Sequence, residues 1–78
     1  MSKDFITFRS VTPAQRAQQL LRRGGVQTLL QRTPARLQER GCGYCLRLHP
    51  SRTEQALTML RGAGIAYSGV YRDGEQLP

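Results

Sequence analysis

The chain has no tryptophan, one histidine, five acidic residues and two cysteines among its 78 residues. Each shortage excludes something. Five carboxylates, scattered mostly over helix faces and the C-terminal end, are a poor stock for paired acid–base catalysis. No Ser/His/Asp arrangement and no phosphate-cradling glycine loop stands beside them. Two cysteines three apart do not describe the disulfide framework of a small secreted domain. The start, Met1-Ser2-Lys3-Asp4, is polar, and no apolar run approaches the roughly 18 residues that span a bilayer. The expected setting is therefore the cytoplasm, with reduced thiols and no membrane partner.

Positive charge is plentiful. Twelve Lys+Arg against five Asp+Glu give +7, and every cation but Lys3 is arginine. That balance favours anionic partners: phosphates, nucleic acid or acidic protein surfaces. A chain of this size makes one small domain that buries only about 60–65% of what its unfolded form exposes. The expected division is one domain over 1–72 and a flexible tail over 73–78. Thin cores of this kind often lean on a second surface, so an exposed sheet face that pairs with a second copy is expected.

The organisation follows from local signals. Phe5-Ile6-Thr7-Phe8-Arg9 is short, aromatic and β-branched, which predicts a first strand. Thr12-Pro13-Ala14-Gln15 predicts a helix start with a capping box, and Ala14, Ala17, Leu20 and Leu21 give it one apolar face. Gly24-Gly25 ends it, and Val26 to Gln31 predicts a second strand. After Thr33-Pro34 and a polar connection, Tyr44 to Leu48 alternates as a third strand, with Tyr44, Leu46 and Leu48 on one face and Cys45 and Arg47 on the other. Ser51-Arg52-Thr53-Glu54 repeats the capping box, Ala56 to Ala63 the amphipathic helix, and Ile65 to Tyr71 the closing strand. The halves match at a fixed offset of 39, as in Thr12 with Ser51, Leu21 with Leu60, Gly25 with Gly64 and Val26 with Ile65. A doubled β-α-β predicts an α+β, ferredoxin-like βαββαβ fold. Right-handed crossovers would place two helices on one face of a four-stranded antiparallel sheet, leaving the other face open.

The stretch Arg40-Gly41-Cys42-Gly43-Tyr44-Cys45 concentrates the chemistry. Its CxxC spacing invites a redox or metal reading, but the pair enters a strand. Residues i and i+3 of a strand lie about 10 Å apart on opposite faces, too far for a disulfide. One such pair with His49 also falls short of the four ligands zinc takes. No metal or other cofactor is expected, beyond an atom carried covalently on Cys42. Cys45 reads as a packing residue. Cys42, between Gly41 and Gly43 in a turn with Arg36, Arg40 and Arg47 in reach, reads as the reactive one. Nearby guanidinium groups favour thiolate, by roughly one pKa unit in an exposed loop.

Arg40-Gly41-Cys42-Gly43-Tyr44 also partly matches an RNA-recognition signature. Side-chain parity opposes it, because that reading would bury Arg47 and turn Leu46 and Leu48 outward. Nucleic acid is therefore disfavoured as a partner.

Leu20-Leu21 with Gly24-Gly25, Pro34 with Arg36, Cys42-Gly43, Leu46-Arg47-Leu48, Leu60 with Gly64-Ile65, and Gly69-Val70-Tyr71 together carry a resemblance. Over roughly Phe5 to Arg72 the chain resembles a family of small bacterial domains described as selenium/sulfur carrier-like proteins. The resemblance implies that Cys42 holds sulfur or selenium as a persulfide or selenopersulfide, with Gly43 permitting the turn and Arg36 stabilising the anion. It implies donor and acceptor enzymes as partners, and a carrier without turnover of its own. Relative to the family pattern, the loop before Cys42 is about one residue longer and Gly41 stands where a small polar residue is usual. The alternative class is a non-catalytic interaction or regulatory module that binds a partner or polyanion through the open sheet face and the basic surface.

Overall fold

The computed structural model describes residues 3–34, 43–72 and 75–77. Strand β1 (Asp4–Phe8) leads into α1 (Val11–Arg23), then β2 (Leu29–Arg32) and β3 (Tyr44–Leu48). A short 3-10 turn (Pro50–Arg52) opens α2 (Thr53–Gly62), and β4 (Gly69–Arg72) and β5 (Glu75–Gln76) follow. The sheet is antiparallel in the order β2-β3-β1-β4-β5. It therefore has five strands rather than the expected four. The extra one comes from the expected tail, where Glu75 and Gln76 pair back onto Arg72 and Tyr71.

One face of the sheet carries the core. Ile6, Phe8, Leu46, Leu48 and Val70 project from the strands to meet Ala14, Ala17 and Leu21 of α1 and Ala56 and Leu60 of α2. Side chains such as Ile6, Leu21, Leu46 and Leu60 are fully buried, each worth about 1.5–3 kcal/mol relative to exposure. Small alanines at the helix contact points let both helices lie close to the strands. The opposite face is not open at its centre: Phe5, Cys45 and Tyr71 form a second buried cluster there, with Thr7 beside them. Leu29 and Arg47, on the same face, are exposed.

The duplication is visible in the hydrogen-bonded register. Asp4↔Arg72 and Ile6↔Val70 on β1 and β4 are matched by Tyr44↔Arg32 and Leu46↔Leu30 on β3 and β2. The β1–β3 ladder reads the same in both directions about its central Ile6↔Leu46 pair. Both helices end in the same way. Val26 N–H donates to Leu21 C=O and Gly25 N–H to Arg22 C=O, as Ile65 does to Leu60 and Gly64 to Arg61. Gly25 (φ 85°) and Gly64 (φ 71°) supply the left-handed residue this motif requires.

Several boundaries shift from their sequence expectation. Strands correspond at an offset of 40 and helix ends at 39, because the second turn into the helix is one residue shorter and the turn out one longer. Ser10, not Thr12, precedes α1. The Ser51–Glu54 box does not form; His49 Nδ1 instead accepts from Ser51 N–H at 3.1 Å and caps the 3-10 turn. Val26–Thr28 and Ile65–Ser68 carry the chain from the helices to the sheet rather than lying within strands.

Candidate functional site

Two adjacent antiparallel strands, β2 and β3, flank the cysteine stretch in the sequence. Their last ladder pair is Arg32↔Tyr44, and one step further Thr33 N–H donates to Gly43 C=O at 3.0 Å. This bond closes the neck of the connection. The Arg32 guanidinium lies over the Tyr44 ring, 5.7 Å from its centroid, and covers one side of the neck. Gly43 fits closely there. A Cβ on it would stand 3.0 Å from the Phe8 carbonyl oxygen and 3.4 Å from Thr33 Oγ1. The neck is thus seated against the end of β1, where the chain turns through Arg9 and Ser10 into α1.

Of the residues singled out in the sequence, Arg36, Arg40, Gly41 and Cys42 lie outside the described residues. Gly43 sits at the neck. Arg47 is exposed on β3, four residues beyond Gly43, a strand length of about 13 Å. It shares a face with Cys45 and pairs across the ladder with Phe5 and Leu29.

Cys45 is fully buried and in no disulfide. Burial pushes its thiol up from the ordinary cysteine range, and the Thr33 hydroxyl and the Arg47 charge only partly counter this. Its Sγ points toward the Arg32 carbonyl at 4.0 Å. A thiol that is buried, protonated and shielded is a poor nucleophile. Among the described residues no group of three or more His, Cys, Asp or Glu is placed to hold a metal ion.

Residues 3–72 match the family described as "Putative Se/S carrier protein-like". The chain belongs to this family. No curated protein and no solved structure matches it. The Se/S carrier-like match spans both halves of the duplication, from the residue before β1 to the last residue of β4. Among the described residues, no helix of this family member is long and apolar enough to cross a membrane.

One group at the far end of the Se/S carrier-like sheet was not singled out from sequence. Asp4 is completely buried. Its carboxylate accepts from Thr53 Oγ1 at 2.6 Å, Arg72 Nε at 2.7 Å and Arg72 Nη2 at 2.8 Å. Burial alone would raise its pKa. The Arg72 and Thr53 hydrogen bonds, with the charges of Arg72 and His49, outweigh that and hold it below the usual carboxylate range. The available signal was alternation: Asp4 falls on the same side of β1 as Ile6 and Phe8.

Proposed function

We propose that this chain is a sulfur or selenium carrier that holds the chalcogen on Cys42 as a persulfide or selenopersulfide. The carrying observation is family membership over 3–72 combined with the withdrawal of Cys45 into the protein interior. Of the two cysteines, the buried one is unsuited to the role, which leaves Cys42, next to the Thr33–Gly43 neck. The scaffold is read as a ferredoxin-like βαββαβ domain with an added edge strand, working in a reducing cytoplasm.

The step is a sulfane transfer. The Cys42 thiolate attacks the terminal sulfur of a donor persulfide; a new S–S bond forms on Cys42 as the donor S–S bond breaks. The donor thiolate leaves, so no external oxidant or reductant is needed. Delivery to an acceptor thiolate is the same step reversed. Arg36 and Arg40, four apart in the loop sequence, supply the positive charge that favours thiolate and perthiolate over their protonated forms. The role asks for no acid–base pair, in keeping with the small stock of carboxylates.

Incubation with a cysteine desulfurase and cysteine, followed by intact-mass measurement, tests this. One added sulfur is expected, lost in Cys42→Ser and kept in Cys45→Ala. Wild-type protein that gains no sulfur, or an adduct that survives Cys42→Ser, would overturn the proposal.

A further inference from the structure

The described charges divide unevenly between the halves of the molecule. Arg9, Arg16, Arg22, Arg23, Arg32 and Arg47, on α1, β2, β3 and the turn into α1, are all exposed, and no described residue of this half is acidic. The described acids, Asp4, Glu54 and Glu75, belong to β1, α2 and β5. On the helix side of the sheet the arginines of α1 and the cleft beside it form a strip, while Arg47 lies with Leu29 on the helix-free face. Arg16 and Arg23 are seven residues apart and share the outer side of α1. Arg22 faces the sheet edge, where it lines a cleft of about 320 Å³ with Gln18, Val26, Gln27 and Thr28. Gln18 Nε2 ties that wall together by donating to Thr28 C=O at 3.4 Å. Thr28, the last residue of the cleft wall, leads directly into β2, which is an edge strand. At its start stands Leu29, 48% exposed and the one exposed large hydrophobic among the described residues. On its other flank α1 packs against α2, where a Cβ on Gly24 would run into the Met59 side chain, so the strip faces away from α2.

We infer that this strip, running from α1 to the β2 edge, is the docking surface for an acidic protein partner. The inference rests on the carrier reading, since a carrier must meet a donor and an acceptor. Topology supplies the functional link: the cysteine loop joins β2 to β3, so a protein seated along β2 is brought to the loop neck. Arginine forks pair bidentately with surface carboxylates, and Leu29, beside Arg47 on the helix-free side of the same edge strand, offers an apolar contact to a partner that wraps that edge. Nucleic acid fits the strip less well. Sequence-tolerant strand binding uses exposed aromatic platforms, and none of the five aromatic side chains is exposed; Phe5, Phe8 and Tyr71 are buried, Tyr44 and Tyr67 half-buried.

The test is fluorescence anisotropy at low salt with two labelled probes: a peptide of alternating glutamate and leucine, and a uridine homopolymer of matched length. The triple change Arg16→Gln, Arg22→Gln, Arg23→Gln should weaken peptide binding about tenfold, as three exposed pairs predict. Arg16→Gln with Leu29→Ser, which spares the last turn of α1, should weaken it about threefold. Arg52→Gln with Arg61→Gln, on the α2 side, should change it less than twofold. Equal losses per charge removed, in free energy, from the two arginine sets would reduce the effect to net charge and overturn the inference. Tighter binding to the uridine probe, lost in the same triple variant, would assign the strip to nucleic acid and also overturn it. Loading of Cys42 from a small-molecule persulfide should be unchanged in the triple variant. Failure of that loading in the wild type counts against the carrier reading and leaves the docking result standing.

Discussion

Arg72, the last residue of β4, closes as a fork on Asp4, the first residue of β1, with both nitrogen–oxygen distances under 3 Å. By the internal symmetry of the ladders, the equivalent pair at the other pole is Arg32 and Tyr44. The same strand-ending arginine thus meets a buried carboxylate at one pole and an aromatic ring at the other. Thr53, the first residue of α2, ties the carboxylate to the helix layer as well. The Asp4 pole is built for holding; the Tyr44 pole borders the cysteine loop.

Removing the carboxylate should be costly. Asp4→Ala deletes three charge-assisted hydrogen bonds in a buried setting, and a loss of about 2–4 kcal/mol is expected. Arg72→Ala should cost about as much or slightly less, because water can reach part of the site from the Arg72 side, which is 43% exposed. Urea unfolding of the two single variants and the double variant measures this. A double variant whose loss equals the sum of the singles would contradict direct coupling of the pair.

Acid should weaken the fold through the same group. The folded pKa of Asp4 is depressed, so the folded state holds its proton less tightly than the unfolded chain. Its stabilising contribution is full above the unfolded aspartate value of about 4 and is lost as pH falls through the lower folded value. Wild-type stability should therefore drop between roughly pH 5 and pH 2, and Asp4→Asn, already weaker, should show a flatter profile. Thermal melts across that range decide it; parallel profiles would place the acid sensitivity elsewhere.

The two helix-ending glycines should behave as a pair. Gly25 and Gly64 both sit at positive φ with nothing within 4 Å of an added Cβ. Alanine at either position meets backbone strain alone, about 1–2 kcal/mol each. Gly43→Ala should destabilise for another reason, because its Cβ would stand 3.0 Å from the backbone oxygen of Phe8, which must shift by a few tenths of an ångström; about 1 kcal/mol is expected. Differential scanning calorimetry of the three variants checks this. Matching losses at 25 and 64 are the signature of the duplication.

The thiols should separate by reactivity. Cys45, buried and with its pKa raised, should resist iodoacetamide until the protein unfolds. Cys42 should alkylate in the native state with a midpoint below the free-thiol value of about 8.5. Peptide mapping after alkylation over a pH series reports both. Equal labelling of the two cysteines would contradict the burial of Cys45.

Much of this architecture was legible because helix starts and stops are local signals. Gly25 and Gly64, with their apolar neighbours, announced the duplication at an offset of 39. The offset of 40 between strands was not legible, since it depends on how many residues each turn spends between layers. His49 displaced the expected Ser51–Glu54 box: its ring nitrogen takes the Ser51 amide that the Glu54 side chain would accept from in such a box. Asp4 stayed hidden for a different reason. Its partner lies 68 residues away in sequence, and no local pattern encodes a bond across that separation. At the candidate site, the alternation of Cys45 with Leu46 was enough to send them to opposite faces. Cys45 reads from its mid-strand place as a packing residue and is one; that Phe5 and Tyr71 would be its neighbours on the helix-free side depends on pairings distant in sequence.

Thr33 and Gly43 meet as a clasp one step past the last ladder pair of β2 and β3. A change of length or charge in the sequence between those two residues is therefore expected to leave the ladders of the body intact, since the clasp and the strands behind it are made outside that sequence.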